Sequence, residues 1–355
     1  MKHRVGIIGC GNISDTYLGI SAKFDSLEVI AVSDMDSTKR DAQAAKYGVR
    51  ALEIDALLAS DVDVIVNLTP PVAHASVTMQ ALEAGKHVYS EKPLAVSLED
   101  GWAIRDLALR KNLRVGCAPD TFLGAGLQTA RNLLERGAIG TPLNAFASMM
   151  SRGPEGWHPN PGFFYQPGAG PLFDMGPYYI TALIHFFGGI QSVTASARKS
   201  LEARVAGTGA VIPVNTVTHV SANLEFASGC IATLLLTFDV QQSTLPRFEL
   251  YGTTGTLIAP DPNIFDGPVL LRGAQSEDWT EQPVTRPYND NSRGLGLAEM
   301  MEAHRQGHPH RASLDLALHV LETMHAILSS AERGERVKLE TSVTQPELLP
   351  SSTAF

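Results

Sequence analysis

Val5-Gly6-Ile7-Ile8-Gly9-Cys10-Gly11-Asn12-Ile13-Ser14 is the stretch on which the reading of this chain turns. A short apolar run ends at one glycine, and a second glycine follows just ahead of a helical pattern over residues 12–24. Gly9 permits a tight strand-to-helix turn, and Gly11 lets the backbone come close to a pyrophosphate. A helix opening at Asn12 and Ile13 offers free N–H groups and its positive dipole end to that anion. The third position of the pattern is Ser14 instead of glycine, which loosens helix–strand packing without blocking the site. Asp34 closes the second apolar run, where a carboxylate bonds the diol of an adenosine ribose and repels a 2′-phosphate. Met35 comes next and the following arginine is Arg40, so NAD is expected over NADP.

Working outward, β-branched apolar runs recur at 4–9, 28–33, 62–68, 87–90 and 113–117, with helical patterns between them at 12–24, 38–47, 74–84 and 98–110. Continuous apolar strands alternating with helices predict a doubly wound α/β domain, a Rossmann-type parallel sheet covered on both faces, over residues 1–120. Residues 121–340 change character. A helix is expected at 127–136, and then alternation takes over: Val220, Ala222, Leu224 and Phe226 share one face while His219, Ser221, Asn223 and Glu225 share the other. Further strands fit 230–238, 247–251 and 256–258, and helices fit 175–187 and 314–330. This half reads as an α+β domain on an open-faced, mostly antiparallel sheet. Residues 260–294, rich in Pro, Gly and Asp, are expected to loop around an edge, and 341–355 to form an irregular tail.

Composition narrows the function. Of 355 residues 44% are hydrophobic and 18% charged, which excludes global disorder. A net charge of −9 argues against nucleic acid and anionic membrane surfaces as partners. No apolar run is long enough to span a bilayer, and the N-terminal apolar stretch is too short and too Gly-broken for a signal peptide. Three separated cysteines (Cys10, Cys117, Cys230) without CxxC spacing suit a reducing, cytoplasmic setting. His304, His308 and His310 lie close together, but Gly307 and Pro309 interrupt the helix there, so no metal is expected. His319 reads as structural.

Three motifs carry the chemistry. Asn67-Leu68-Thr69-Pro70-Pro71 and Gly85-Lys86-His87-Val88-Tyr89-Ser90-Glu91-Lys92-Pro93 both end parallel strands, where ligands of open α/β sheets bind. Thr69, Pro70 and His74 are expected on the nicotinamide side, and Glu91 and Lys92 are expected to touch the cofactor as well. The Lys92 ammonium, held by Glu91, can bond a substrate hydroxyl and help remove its proton. In Phe173-Asp174-Met175-Gly176-Pro177-Tyr178, Asp174 and Tyr178 face the same way on a helical turn. The carboxylate can orient a hydroxyl, and a phenol beside an ammonium can relay a proton. Trp157-His158-Pro159 precedes Phe163-Phe164-Tyr165; these aromatics either stack on a sugar, with His158 bonding a hydroxyl, or pack a Pro-rich loop on itself. Asp120, at the domain junction, is expected to border the crevice and touch substrate.

With these motifs in this order, the whole chain resembles the Gfo/Idh/MocA oxidoreductase family. The resemblance implies that Lys92 is the catalytic lysine, Asp174 a substrate-binding carboxylate and Tyr178 the acid/base partner. Many relatives carry His at the last position; the Tyr variant resembles the glucose-fructose oxidoreductase and dihydrodiol dehydrogenase branch, which weakens any transfer of inositol specificity. It also implies a homodimer or homotetramer paired through the C-terminal sheet. The expected activity is NAD-dependent hydride transfer with a secondary alcohol of a sugar, sugar derivative or cyclitol. Two alternatives share the resemblance: a glycoside-cleaving enzyme using transient ring oxidation, and a non-catalytic sugar or nucleotide sensor.

Overall fold

The computed structural model describes residues 2–351 and 355. They form two compact units: residues 2–120 with Asn291–Leu321, and Thr121–Asp290 with Glu322–Ser351.

The first unit is built on six parallel strands: β1 (His3–Ile8), β2 (Leu27–Ser33), β3 (Arg50–Ala51), β4 (Val64–Asn67), β5 (His87–Ser90) and β6 (Val115–Cys117). Their order, β3-β2-β1-β4-β5-β6, is that of a doubly wound dinucleotide-binding sheet. Val64, Ile65 and Val66 are fully buried, as expected of strands covered on both faces. The helices are α1 (Ser14–Leu18), α2 (Ser37–Tyr47), α3 (Ile54–Leu58), α4 (Pro71–Glu83) and α5 (Leu98–Lys111). Asp36 caps α2 by accepting from the Thr38 and Lys39 N–H groups. The long helix expected over 12–24 is broken. It stops at Leu18, is capped by Gly19, and continues as one 3₁₀ turn over Gly19–Ala22.

The second unit opens with α6 (Ala125–Glu135), then β7 (Pro142–Met150) and α7 (Gly170–Phe187). Its strands continue through β8 (Ile190–Arg198), β9 (Ala203–Val205), β10 (Val211–Pro213), β11 (His219–Phe226), β12 (Ile231–Thr237), β13 (Phe248–Gly252) and β14 (Gly255–Ile258). Residues 260–294 are not simply a loop. They contribute β15 (Val269–Gly273) and β16 (Thr280–Gln282), which extend one edge; β17 (Val337–Lys338) closes the other. The result is a nine-stranded mixed sheet, antiparallel except where β7 pairs with β12, while β9 and β10 form a separate ribbon.

Register separates the two faces of that sheet. Leu250, Ala145, Ala232, Leu224 and Val193 are cross-strand partners in one row, and all are buried. The row carrying Phe146, Thr233, Asn223 and Thr194 lies on the opposite face, where Asn223 is exposed and Phe146 half-buried. α7 packs on the buried face against β12, β7 and β11.

Past residue 290 the chain returns to the first unit, so residues 121–340 are not one continuous domain. Asn291–Leu321 includes α8 (Leu295–Gln306), a helix outside the elements expected from sequence, and the start of α9 (Leu314–Arg333). The tail from Thr341 to Ser351 is irregular but tethered: the Thr341 N–H donates to Glu322 Oε2 (2.8 Å) and the Leu349 N–H to Gln128 Oε1 (2.8 Å), while residues 352–354 of the expected tail lie outside the described residues.

Candidate active site

Gly9 and Gly11 are glycines for different reasons. Gly9 has φ +108°, and a Cβ there would lie 2.7 Å from the carbonyl of Leu68, just past neighbouring β4. Only glycine allows β1 and β4 to approach at this point, where the strand order reverses. A Cβ at Gly11 would meet nothing within 4 Å, and Gly11 and Asn12 are exposed. No packing within the protein requires glycine at 11; open backbone there suits the approach of a phosphate. The helix behind it begins at Ser14, with Ile13 as its cap, so the loop leads into a short helix and not into the long one expected to open at Asn12. Ser14 Oγ donates back to the Gly11 carbonyl at 2.6 Å, which holds the turn.

Asp34 clasps this loop. Its Oδ2 accepts from the Cys10 N–H at 2.7 Å and its Oδ1 from the Asp36 N–H at 2.8 Å, leaving each oxygen further capacity to accept. Burial and the Asp34 carboxylate push the Cys10 thiol up to about 11, so it stays protonated. Met35, beside Asp34, is fully exposed, an apolar side chain on open surface that sequence reading noted only for not being arginine.

The end of β4 is tied to the turn and helix that follow it by Asn67, a fully buried amide at the end of an apolar strand. Its Nδ2 donates to the His74 carbonyl (3.0 Å) and Thr78 Oγ1 (3.1 Å), and its Oδ1 accepts from Thr69 Oγ1 (2.7 Å). His74 is 1% exposed, with its ring nitrogens 2.6 Å from the Pro93 carbonyl and 2.8 Å from that of Thr69. No ring nitrogen is left for a nicotinamide. His74 is therefore a strut between the two strand-end loops. Burial lowers its pKa. Pro70 is exposed and precedes α4, whose first residue is Pro71.

Glu91 braces the lysine's backbone. Its Oε2 accepts from the Lys92 N–H at 3.1 Å, and its Oε1 from the hydroxyl of Tyr17 at 2.8 Å. Tyr17 is fully buried, and burial followed by the Glu91 charge raises its phenol well above the ordinary value, so it remains a donor. Nothing in its local sequence marks it; a lone Tyr on a short helix reads as core.

Asp120 turns inward, toward backbone groups. It is 1% exposed, and its Oδ2 accepts from the N–H groups of Gly294 (2.9 Å) and Gly296 (3.0 Å) at the start of α8. Burial pushes its carboxyl up to about 6.

In the second unit α7 begins at Gly170, earlier than the expected 175, because Pro171 suits a first helical turn. Asp174 and Tyr178 thus sit one turn apart on a formed helix, Asp174 half-buried and Tyr178 8% exposed. The loop before it is packed by its own aromatics: Phe163 and Phe164 have ring centroids 4.0 Å apart, and His158 lies 5.0 Å from Phe164. Trp157 and Phe163 nonetheless remain 72% and 45% exposed. His158 Nδ1 accepts from the Asn160 N–H. Among the described residues no group of His, Cys, Asp and Glu could hold a metal ion, and no helix is long and apolar enough to cross a membrane.

Comparison with known proteins gives a consistent picture. Residues 3–118 match an oxidoreductase family with an NAD-binding Rossmann fold, and residues 127–258 match the GFO/IDH/MocA C-terminal domain. A dTDP-3,4-didehydro-2,6-dideoxy-alpha-D-glucose 3-reductase of Saccharopolyspora spinosa is 30% identical over 72% of this chain and 74% of its own. The D-glucoside 3-dehydrogenase of Escherichia coli K12 is 26% identical over 95% of this chain and 97% of its own. Levoglucosan dehydrogenase in complex with NADH and L-sorbose shares the fold, with a TM-score of 0.81 at 21% identity, covering 96% of this chain and 99% of that one.

Proposed function

Because the chain belongs to the GFO/IDH/MocA family of NAD-binding oxidoreductases, we propose that it is an NAD-dependent dehydrogenase. Its substrate would be a secondary alcohol of a sugar, sugar derivative or cyclitol. The observation that carries this reading is the pair of glycines: one demanded by packing, the other left open beside a carboxylate poised for a ribose diol. The backbone of Gly11, Asn12 and Ile13 would hold the pyrophosphate, Asp34 the adenosine ribose, and Thr69 and Pro70 the nicotinamide side. When bound, the nicotinamide exchanges hydride with the carbinol carbon.

The protein's own share is orientation and proton handling. Lys92 takes or returns the proton of the substrate hydroxyl, with its backbone fixed by Glu91 and, through Pro93, by His74. Asp174 accepts a hydrogen bond from a hydroxyl of the sugar, and Tyr178 is the acid/base partner. Trp157 and Phe163 offer aromatic faces to the C–H face of a ring. The open face of the nine-stranded sheet pairs subunits. The E. coli relative named for a glucoside also favours testing transient oxidation of a glycoside, in which release of the aglycone leaves no net reduced cofactor.

The test is reduced-nicotinamide formation with NAD or NADP across aldoses, cyclitols and glycosides. Turnover with NAD should fall roughly 10²–10⁴-fold in Lys92→Ala, while cofactor binding persists. Cofactor binding without turnover across the panel would overturn the dehydrogenase reading, and a preference for NADP would overturn the role of Asp34.

A further inference from the structure

Beneath the exposed aromatics of residues 151–169 lies a charge cluster that the proposed chemistry does not use. At its centre is Arg204, on β9, with a side chain only 11% exposed. One guanidinium nitrogen donates to Glu155 Oε1 (3.2 Å) and to the Arg152 carbonyl (3.4 Å). The other donates to the Phe238 carbonyl (3.1 Å) and to Asp239. The plane of charge also lies 5.7 Å over the ring of Tyr165. Glu155 and Asp239 are themselves 12% and 14% exposed, and Thr218 Oγ1 donates to the far oxygen of Asp239 at 2.8 Å.

These contacts fall at both ends of one segment. Arg152 and Glu155 stand before Trp157, and Tyr165 follows Phe163 and Phe164. The backbone repeats the pattern: the Gly207 N–H donates to the Glu155 carbonyl (3.1 Å) and the Asn215 N–H to that of Tyr165 (2.7 Å). At Gly153, φ +93°, a Cβ would lie within 2.4 Å of the Glu155 carboxylate and the Tyr165 hydroxyl, so the turn is pressed onto the cluster. Between the two anchored ends the segment has only two short 3₁₀ turns, Pro154–Gly156 and Pro161–Tyr165, and then leads straight into α7 with Asp174 and Tyr178.

A segment with so little regular structure is mobile unless tied down. Buried ion pairs are a poor source of net stability, because desolvation offsets most of the attraction. What a guanidinium supplies is a planar fork that fixes directions, here toward two carboxylates and two carbonyls at once. We propose that Arg204 is a positioning residue for substrate: it locks both ends of the aromatic segment so that Trp157 and Phe163 present a fixed platform to the apolar C–H face of a pyranose ring. This rests on a sugar being the substrate.

The experiment compares Arg204→Met, Arg204→Lys and Trp157→Ala with the wild-type holoenzyme, on the best sugar of the panel. Arg204→Met should raise the sugar KM about tenfold or more, with kcat within about threefold and the NAD KM unchanged. Acrylamide quenching of tryptophan emission should change in Arg204→Met, and that change should vanish in a Trp157→Phe background. Arg204→Lys, which keeps charge but not the fork, should recover part of the KM and secures the test if Arg204→Met folds poorly. Trp157→Ala should raise the sugar KM comparably, and combining it with Arg204→Met should add little further. A lowered melting temperature with unchanged sugar KM and unchanged quenching would make Arg204 merely structural and overturn the proposal. A raised KM in Arg204→Met but not in Trp157→Ala would overturn the platform. If the wild type turns over no sugar, the dehydrogenase reading and the platform's ligand fall together, and the quenching arm alone decides whether Arg204 holds the segment.

Discussion

In the parallel sheet Val64, Ile65 and Val66 are all fully buried; in the mixed sheet Val220, Ala222 and Leu224 are buried while Ser221 and Asn223 between them are exposed. The first sheet spends both faces on its own helices, so the chemistry proposed for it falls at the edge where strands end in loops: Gly9–Gly11, Asp34, Asn67–Thr69 and Glu91–Pro93. The second spends one face on α7 and leaves the other open. Its chemical groups sit on that helix and the preceding segment, and a whole surface remains for something else. One sheet therefore leaves only an edge for ligands, while the other has a covered face and an open one.

The sharpest way to test the edge is at its two glycines. Gly9→Ala forces a Cβ to 2.7 Å from the Leu68 carbonyl at a positive φ; it should cost roughly 3–5 kcal/mol, the range of severe core lesions, read as a fall in unfolding midpoint. Gly11→Ala meets no atom within 4 Å, so its stability should stay within about 0.5 kcal/mol of wild type. Its NAD affinity should drop about tenfold, roughly 1.4 kcal/mol, because the methyl stands where a phosphate approaches. If Gly11→Ala unfolds the protein and leaves the affinity of the folded fraction intact, the division between a packing glycine and a binding glycine is wrong.

The same contrast explains what could be read from sequence. Parallel strands announce themselves by continuous β-branched runs, and the glycine motif and Asp34 fall at their ends by spacing, so the dinucleotide half was legible almost residue by residue. Lost there were β3 and α3, too short for any period to register, and the break at Gly19. In the second half the alternation over 219–226 marked a true two-faced strand. β15 and β16 were missed because edge strands of three to five residues among Pro and Gly have partners the local sequence does not name. α8 was missed because Leu295, Leu297, Ala298, Met300 and Met301 are all buried; a helix apolar on most sides shows no stripe. For His74 and Asp120 the local sequence did not show that both turn inward, His74 to backbone carbonyls and Asp120 to backbone N–H groups. Polarity near a crevice looks the same whether the side chain turns toward a ligand or inward to backbone groups, and only long-range partners such as Gly294 distinguish the two.

Breaking the open face should have an intermediate effect. Ile231, 46% exposed, and half-buried Leu235 point to that side along β12. Lysine at both should lower the solution mass toward the 38.1 kDa protomer, weakening association more than tenfold, since charges are depleted from interface cores. Sedimentation equilibrium reads this directly. A wild type already at the protomer mass would remove the open face as a subunit surface.

A pH-dependent effect is expected at Asp120, and it probes the edge from within. Its carboxyl is raised from 3.8 to about 6 by burial, against the two Gly N–H groups that favour its charge. A carboxyl with a raised folded-state pKa binds more protons in the folded than in the unfolded protein between those two values. Its contribution to stability therefore falls as pH rises from about 4 to 6, and the cost is fully present above pH 6. Asp120→Asn keeps an acceptor for the Gly294 and Gly296 N–H groups and removes the ionisation. The stability of the variant relative to wild type should rise by on the order of 2–3 kcal/mol between pH 4 and pH 7, measured by urea unfolding at each pH. Taking the difference cancels the other carboxylates, which titrate alike in both proteins. A difference that stays flat would mean that Asp120 titrates normally. One that falls with pH would mean that the charged carboxylate, held by the start of α8, is a net clamp on the fold.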